Sequence, residues 1–222
     1  MSIGVKICGL NQKSAVEAAV AGGADYLGFV FFPRSPRYVD LATAASLASL
    51  APSGVLRVGL VVDAETDFLH SLVTTVPLDM LQLHGGESPS RVAEIRESFG
   101  LPVIKAISVG EEADFDVVAE YEKVADRLLF DARASASATR PGGNARSFDW
   151  RLLGGRSFRL PWLLAGGLDA GNLGEAVRCS GAAAVDVSSG VEDAPGRKSV
   201  EKILAFLAAA ARLRCPRDSA AR

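Results

Sequence analysis

Cys8, His84 and Asp131 each close a short apolar run: "VKIC", "MLQLH" and "RLLFD". A thiol, an imidazole and a carboxyl gathered in one place could supply a base and one or two proton donors. Cys8 carries two readings at this point. Free cysteine packs well in a core, whereas a thiolate in a positive neighbourhood is reactive. His84 is open between an acid–base role and that of a hydrogen-bonded pocket residue. His70 lies in a helical stretch and has no assigned role.

Alternation along a strand puts Lys6 on the same face as Cys8, Gln82 on that of His84, and Asp186 on that of Ser188. A buried Lys6 ammonium needs a partner, and Asp186 is the natural candidate. The pair could be structural or could act electrostatically on a site above it. Two later segments suit an anion. In "LLAGGLDAGN", Gly166-Gly167 lets backbone N–H groups approach a ligand closely. In "VDVSSGVE", Ser188-Ser189-Gly190 begins a turn that could aim further N–H groups at the same anion. "FFPRSPRYVD" holds Arg34 and Arg37 in a Pro-stiffened loop, and one inward guanidinium would suit a carboxylate.

These residues are spaced by alternating β-type and helical segments. Strands are expected at Gly4–Cys8, Tyr26–Phe32, Leu56–Val62, Met80–His84, Val103–Ser108, Arg127–Asp131, Trp162–Gly166 and Ala184–Ser188. Helices are expected near 12–22, 41–51, 65–75, 88–99, 112–124, 149–154, 170–179 and 198–212. Ser88 and Pro89 read as the N-cap and first position of the fourth helix. Eight such units in series favour a single α/β domain, a closed parallel (β/α)8 TIM barrel, over an open sheet. The barrel is expected over 1–212, with 213–222 a loosely ordered polar tail. Cys8, Asp63, His84, Ser108, Asp131, Gly166-Gly167 and Ser188-Ser189-Gly190 then fall at C-terminal strand ends, where such barrels carry their chemistry.

Composition narrows the function. The chain has 222 residues, a formal net charge of −2 and near-balanced acids and bases. That argues against a broad nucleic-acid surface. No apolar run reaches membrane-spanning length and no signal segment is evident, so a cytoplasmic protein is expected. Three cysteines and two histidines at no useful spacing argue against a disulfide framework or a metal site.

Taken together, "KICGL", "GFVFFPRSPRYV", "VGLVVD", "LQLHG", "LFDA", "GG" before "FDW", "LLAGGL" and "VDVSSGVE" followed by "PGRK" resemble the phosphoribosylanthranilate isomerases of tryptophan biosynthesis. The resemblance runs from about residue 3 to 210. It implies an Amadori rearrangement without cofactor or metal, converting the phosphoribosyl conjugate of anthranilate into its carboxyphenylamino-deoxyribulose phosphate. It matches Cys8 to the family's catalytic cysteine and Asp131 to its aspartate, which favours a reactive thiol. It also matches Arg37 to the arginine contacting anthranilate, and Gly166-Gly167 and Ser188-Ser189-Gly190 to the phosphate loops. Gln82 and His84 are expected to contact substrate. The expected partner is a small phosphorylated sugar–anthranilate, with no nucleic acid or membrane, bound by a monomer or homodimer.

Alternatives are the sister isomerase of histidine biosynthesis, a dual-substrate enzyme, or a non-catalytic sugar-phosphate-binding barrel. The histidine enzyme has an aspartate where this chain has Cys8. Asn144, Ala145 and Lys198-Ser199 depart from the family pattern. The stretch Arg133 to Ser147 is long for a strand–helix connection, and is expected to close over the substrate phosphate.

Overall fold

The computed structural model describes residues 3–133, 142 and 147–213. Eight strands, Gly4–Cys8 (β1), Tyr26–Val30 (β2), Leu56–Val61 (β3), Met80–Leu83 (β4), Val103–Val109 (β5), Arg127–Ala132 (β6), Trp162–Leu164 (β7) and Ala184–Val187 (β8), pair in parallel. They close into a barrel because β8 returns to pair with β1, with Lys6 opposite Asp186. The expected TIM barrel is the observed fold. The tail after Leu213 and most of the 133–147 connection lie outside the described residues.

Helices Lys13–Ala21 (α1), Leu41–Ala48 (α2), Thr66–Thr75 (α3), Pro89–Phe99 (α4), Val118–Tyr121 (α5), Leu173–Ser180 (α6) and Val200–Ala211 (α7) alternate with the strands. Ser88 accepts from Arg91 N at the start of α4, with Pro89 following, and Gly100 ends it in the left-handed conformation. Two expected helices are not continuous α-helices. The span 112–124 splits into a 3₁₀ turn, Glu112–Phe115, and the one-turn α5. Asp114 accepts from Gly110 N and Glu111 N, which bends the chain at the start of that turn. The span 149–154 is a 3₁₀ turn, Trp150–Leu153, which stops at Gly154 and at Gly155 with φ +75°.

Strand parity divides the core. Tyr26, Val58, Met80, Ile104, Ala106, Leu129 and Leu163 pack together inside the barrel, with Ala165 above them at the cavity. Ile7, Leu27, Phe29, Leu81, Leu128 and Phe130 face the helices. Phe130 meets Phe115, Phe158 and Trp162, with ring centroids 4.7 Å from Phe158 and 5.5 Å from Trp162. This cluster anchors the outer face of β6 one residue below Asp131. Phe130→Ala is therefore expected to destabilise the barrel by about 3–5 kcal/mol, read by denaturant unfolding. A loss under about 1 kcal/mol would show that the cluster collapses onto the gap.

After β8 a 3₁₀ turn, Ser189–Val191, leads into a small antiparallel hairpin that the sequence did not suggest. Its strands are Glu192–Ala194 (β9) and Arg197–Lys198 (β10), and it brings two charged side chains against the barrel mouth.

Candidate active site

A cavity opens at the C-terminal end of the barrel, concave and part apolar, part polar in its lining, as small-molecule sites are. Val30, Phe32, Leu60 and Val62 form an apolar wall. Cys8, His84, Asp131, Arg37, Gly166, Gly167, Ser188 and Ser189 share the lining. Gln82 and Gly190, also expected in the site, stand behind it. Gln82 is fully buried, with its amide nitrogen 2.8 Å from His84 Nδ1. Gly190 packs so tightly on the β7 loop that any Cβ would collide with the Leu168 carbonyl oxygen.

The base of the cavity follows from β1 and its neighbours. Lys6 and Cys8 both point inward, and Lys6 is completely buried with Nζ 2.9 Å from Asp186 Oδ1. Burial by itself would lower the Lys6 ammonium; Asp186 and Cys8 more than offset this, and its pKa is pushed up to about 12. Burial pushes the Cys8 thiol up, while Lys6 and then Lys198 pull it down and Asp186 opposes them. Gly28, opposite Cys8 on β2, makes the room for this arrangement. A Cβ there would stand 3.0 Å from Lys6 Nζ and 3.1 Å from Cys8 Sγ.

The hairpin supplies the charges that the sequence reading missed as site residues. Arg37 is buried while Arg34 is exposed, so Arg37 is the inward arginine of its loop. Glu192 holds it by a bidentate pair, with Nε 2.7 Å from Oε1 and Nη2 2.8 Å from Oε2. Lys198 Nζ donates to the same Oε1 at 2.8 Å and to the Ser188 carbonyl at 2.8 Å. Burial lowers the Lys198 pKa to about 8 although Glu192 supports the charge; the nearby Arg37 lowers it further. Glu192 is held below the usual carboxylate range, since Arg37 and Lys198 outweigh its burial. Arg37, Glu192 and Lys198 together carry one net positive charge beside the cavity.

The loops after β7 and β8 are shaped for close approach. Gly166 and Gly167 have φ of +90° and +65°, which side chains with a Cβ rarely adopt. Asn172 Nδ2 pins that loop by donating to the Gly167 carbonyl at 2.9 Å. Ser188 Oγ donates to the Cys8 carbonyl at 3.1 Å, tying the β8 loop to the end of β1. Across the cavity, Asp131 Oδ2 lies 3.2 Å from His84 Nε2, and Asp131 Oδ1 accepts from Ala132 N at 2.8 Å. No helix among the described residues is long and apolar enough to cross a membrane.

A parallel (β/α)8 barrel with titratable groups at its mouth and two small-residue loops after its last strands has the make-up of an enzyme acting on a phosphorylated small molecule. Comparison with known proteins narrows the class. The family described as N-(5'-phosphoribosyl)anthranilate (PRA) isomerase matches residues 5–209, and the chain belongs to that family. Its activity is accordingly the aldose–ketose isomerisation of phosphoribosylanthranilate in tryptophan biosynthesis. An N-(5'-phosphoribosyl)anthranilate isomerase of Cereibacter sphaeroides is 57% identical over 203 residues, 91% of this chain and 96% of the relative. The phosphoribosyl anthranilate isomerase structure from Thermotoga maritima superposes with a TM-score of 0.85 at 34% identity, covering 95% of this chain and all of that one. Another solved isomerase, in complex with reduced 1-(o-carboxyphenylamino)-1-deoxyribulose 5-phosphate, has a TM-score of 0.82 at 33% identity, with 95% and 100% coverage.

Proposed function

We propose that Cys8 and Asp131 divide the rearrangement between them as base and acid. The observation carrying this reading is that both project into one cavity, together with Arg37 and the Gly166-Gly167 and Ser188-Ser189 loops. Asp131 gives its proton to the ribose ring oxygen as the C1′–O bond breaks, and the anilino nitrogen lone pair forms the iminium. The Cys8 thiolate removes the C2′ proton, and the C–H electron pair neutralises the iminium as an enolamine. Protonation at C1′ and loss of the C2′ hydroxyl proton then give the ketone, so no proton is gained or lost overall. Burial raises the Cys8 thiol on balance; Lys6 and Lys198 offset part of this in favour of the thiolate, and the iminium charge adds to them once it forms.

In this reading the phosphate sits on the two loops after β7 and β8, with Gly190 shaping the second from behind. The carboxylate meets Arg37, and His84 borders the reacting sugar. The ligand of the solved relative carries a phosphate and a carboxylate, the two anionic ends for which this reading provides. The setting is the cytoplasm, the partner is the small-molecule substrate with neither nucleic acid nor membrane, and the working unit is a monomer or homodimer.

Loss of phosphoribosylanthranilate fluorescence tests the reading directly. Purified protein is expected to accelerate that loss by orders of magnitude and to act poorly on the phosphoribosyl aminoaldose of histidine synthesis; equal turnover of both would make it a dual-substrate enzyme. Arg37→Ala is expected to raise KM at least about tenfold, the scale of a lost charged hydrogen bond. Glu192 keeps Lys198 as a partner in that variant. An unchanged kcat/KM would leave Arg37 as scaffold only.

A further inference from the structure

We propose that Gln82 is a positioning residue for the rearrangement: it fixes the His84 ring proton on Nε2, so that this N–H is aimed at Asp131. The proposal rests on the reading of Asp131 as the acid. Gln82 points inward from β4 and is fully buried. Its Nε2 lies 2.8 Å from His84 Nδ1, and His84 Nε2 lies 3.2 Å from Asp131 Oδ2.

The direction of the chain follows from counting donors. With the amide nitrogen facing Nδ1, Gln82 donates, Nδ1 accepts, and the neutral ring carries its proton on Nε2. Gln82 Oε1 is then a buried acceptor without a partner among the described residues. Turning the amide over would instead leave an NH₂ group, with two donors, in the unsatisfied place. An orphaned carbonyl is the more tolerable defect. An apolar side chain of similar size would remove that orphan but would leave His84 Nδ1 without its donor, so the amide is accounted for by what it does for the ring.

The orientation matters because charge appears on Asp131 as its proton leaves. When the Asp131 O–H bond breaks and the ring oxygen gains that proton, the carboxylate left behind meets two donors already in place, Ala132 N–H and His84 Nε2–H. Donors aimed beforehand at developing charge lower a barrier more than donors that must turn. The opposite tautomer would present a lone pair to that carboxylate. Gly142 packs over the same contact: a Cβ there would stand 2.6 Å from Asp131 Oδ2 and would overlap His84 Nε2.

The test joins ¹⁵N NMR of the His84 ring to steady-state kinetics in Gln82→Met and Gln82→Glu. The wild-type spectrum is expected to show a protonated Nε2 and an unprotonated Nδ1. Gln82→Glu is expected to place a proton on Nδ1, because a carboxylate can only accept there. Both variants are expected to lose about tenfold or more in kcat, with KM within about twofold and with Gln82→Met still folded cooperatively. A wild-type ring protonated on Nδ1 would overturn the proposal. So would a Gln82→Met enzyme with full kcat, or one whose loss lies entirely in KM. Should Gln82→Glu fail to fold, Gln82→Met and the wild-type spectrum still decide. Failure of the acid reading itself would show separately, as an active Asp131→Asn enzyme.

Discussion

Cys8→Ala and Asp131→Asn are each expected to lower kcat by about 10²–10⁴-fold, the usual value of a positioned proton transfer. Neither change should unfold the barrel. Alanine at position 8 removes one sulfur from the top layer beside Val30 and Leu60 and leaves the Lys6–Asp186 pair intact. Asparagine at 131 keeps the shape of aspartate and can still accept from Ala132 N, but has no carboxyl proton to give. The two losses should not multiply in the double variant, because both groups act along one reaction path. Rapid-quench or fluorescence turnover, with circular dichroism as the folding control, provides the check. Retention of more than about a tenth of wild-type kcat by either variant would remove that residue from its role.

Lys6→Met is expected to be costly for stability and activity together. It strands Asp186, 93% buried, without its ammonium, and breaking such a pair from one side costs about 3–5 kcal/mol. For a domain of this size that is a fall of about 6–20 °C in Tm. The Lys6 pKa is raised in the folded state, from 10.5 to about 12. Its contribution is therefore complete below 10.5 and fades as pH rises through about 12. The cost of Lys6→Met should thus be constant across neutral pH. Lys6→Met combined with Asp186→Leu separates the two effects. Removing both charges is expected to return most of the stability, while turnover stays low because the Cys8 thiol has lost its nearest cation. Full activity in the pair variant would make the ion pair purely structural.

The barrel was legible because its strands are apolar runs ended by residues with distinct chemistry. Misjudged ends have local causes. The seventh strand was expected to reach Gly166 but stops at Leu164. Ala165 N still donates to the Phe130 carbonyl at 2.8 Å, and Gly166 then turns away at φ +90°. The Lys6–Asp186 pair was readable from parity alone once closure placed the last strand beside the first. Parity could not give depth, so it could not tell that Gln82 touches His84 rather than the cavity. Glu192 and Lys198 escaped for another reason. A hairpin of three and two residues around Pro195-Gly196 is too short to show a period, and only the fold brings Arg37 to it across 155 positions. The expected closure of residues 133–147 over the phosphate falls mainly outside the described residues.

The seam between β1 and β8 also fixes when the site can exist during synthesis. Cys8 is on the first strand of the barrel to be made, whereas Asp186 and Lys198, which tune the surroundings of its thiol, arrive some 180 residues later. At ordinary elongation rates of about 5–20 residues per second, the thiol waits roughly 10–40 s for them. Through that interval Cys8 has neither the finished barrel's burial nor its cations. It behaves as an ordinary cysteine, open to oxidants and mixed disulfides. The surroundings of this thiol are thus completed last although the thiol precedes them in translation, and a chain stalled before residue 186 lacks both the carboxylate and the second ammonium that flank it.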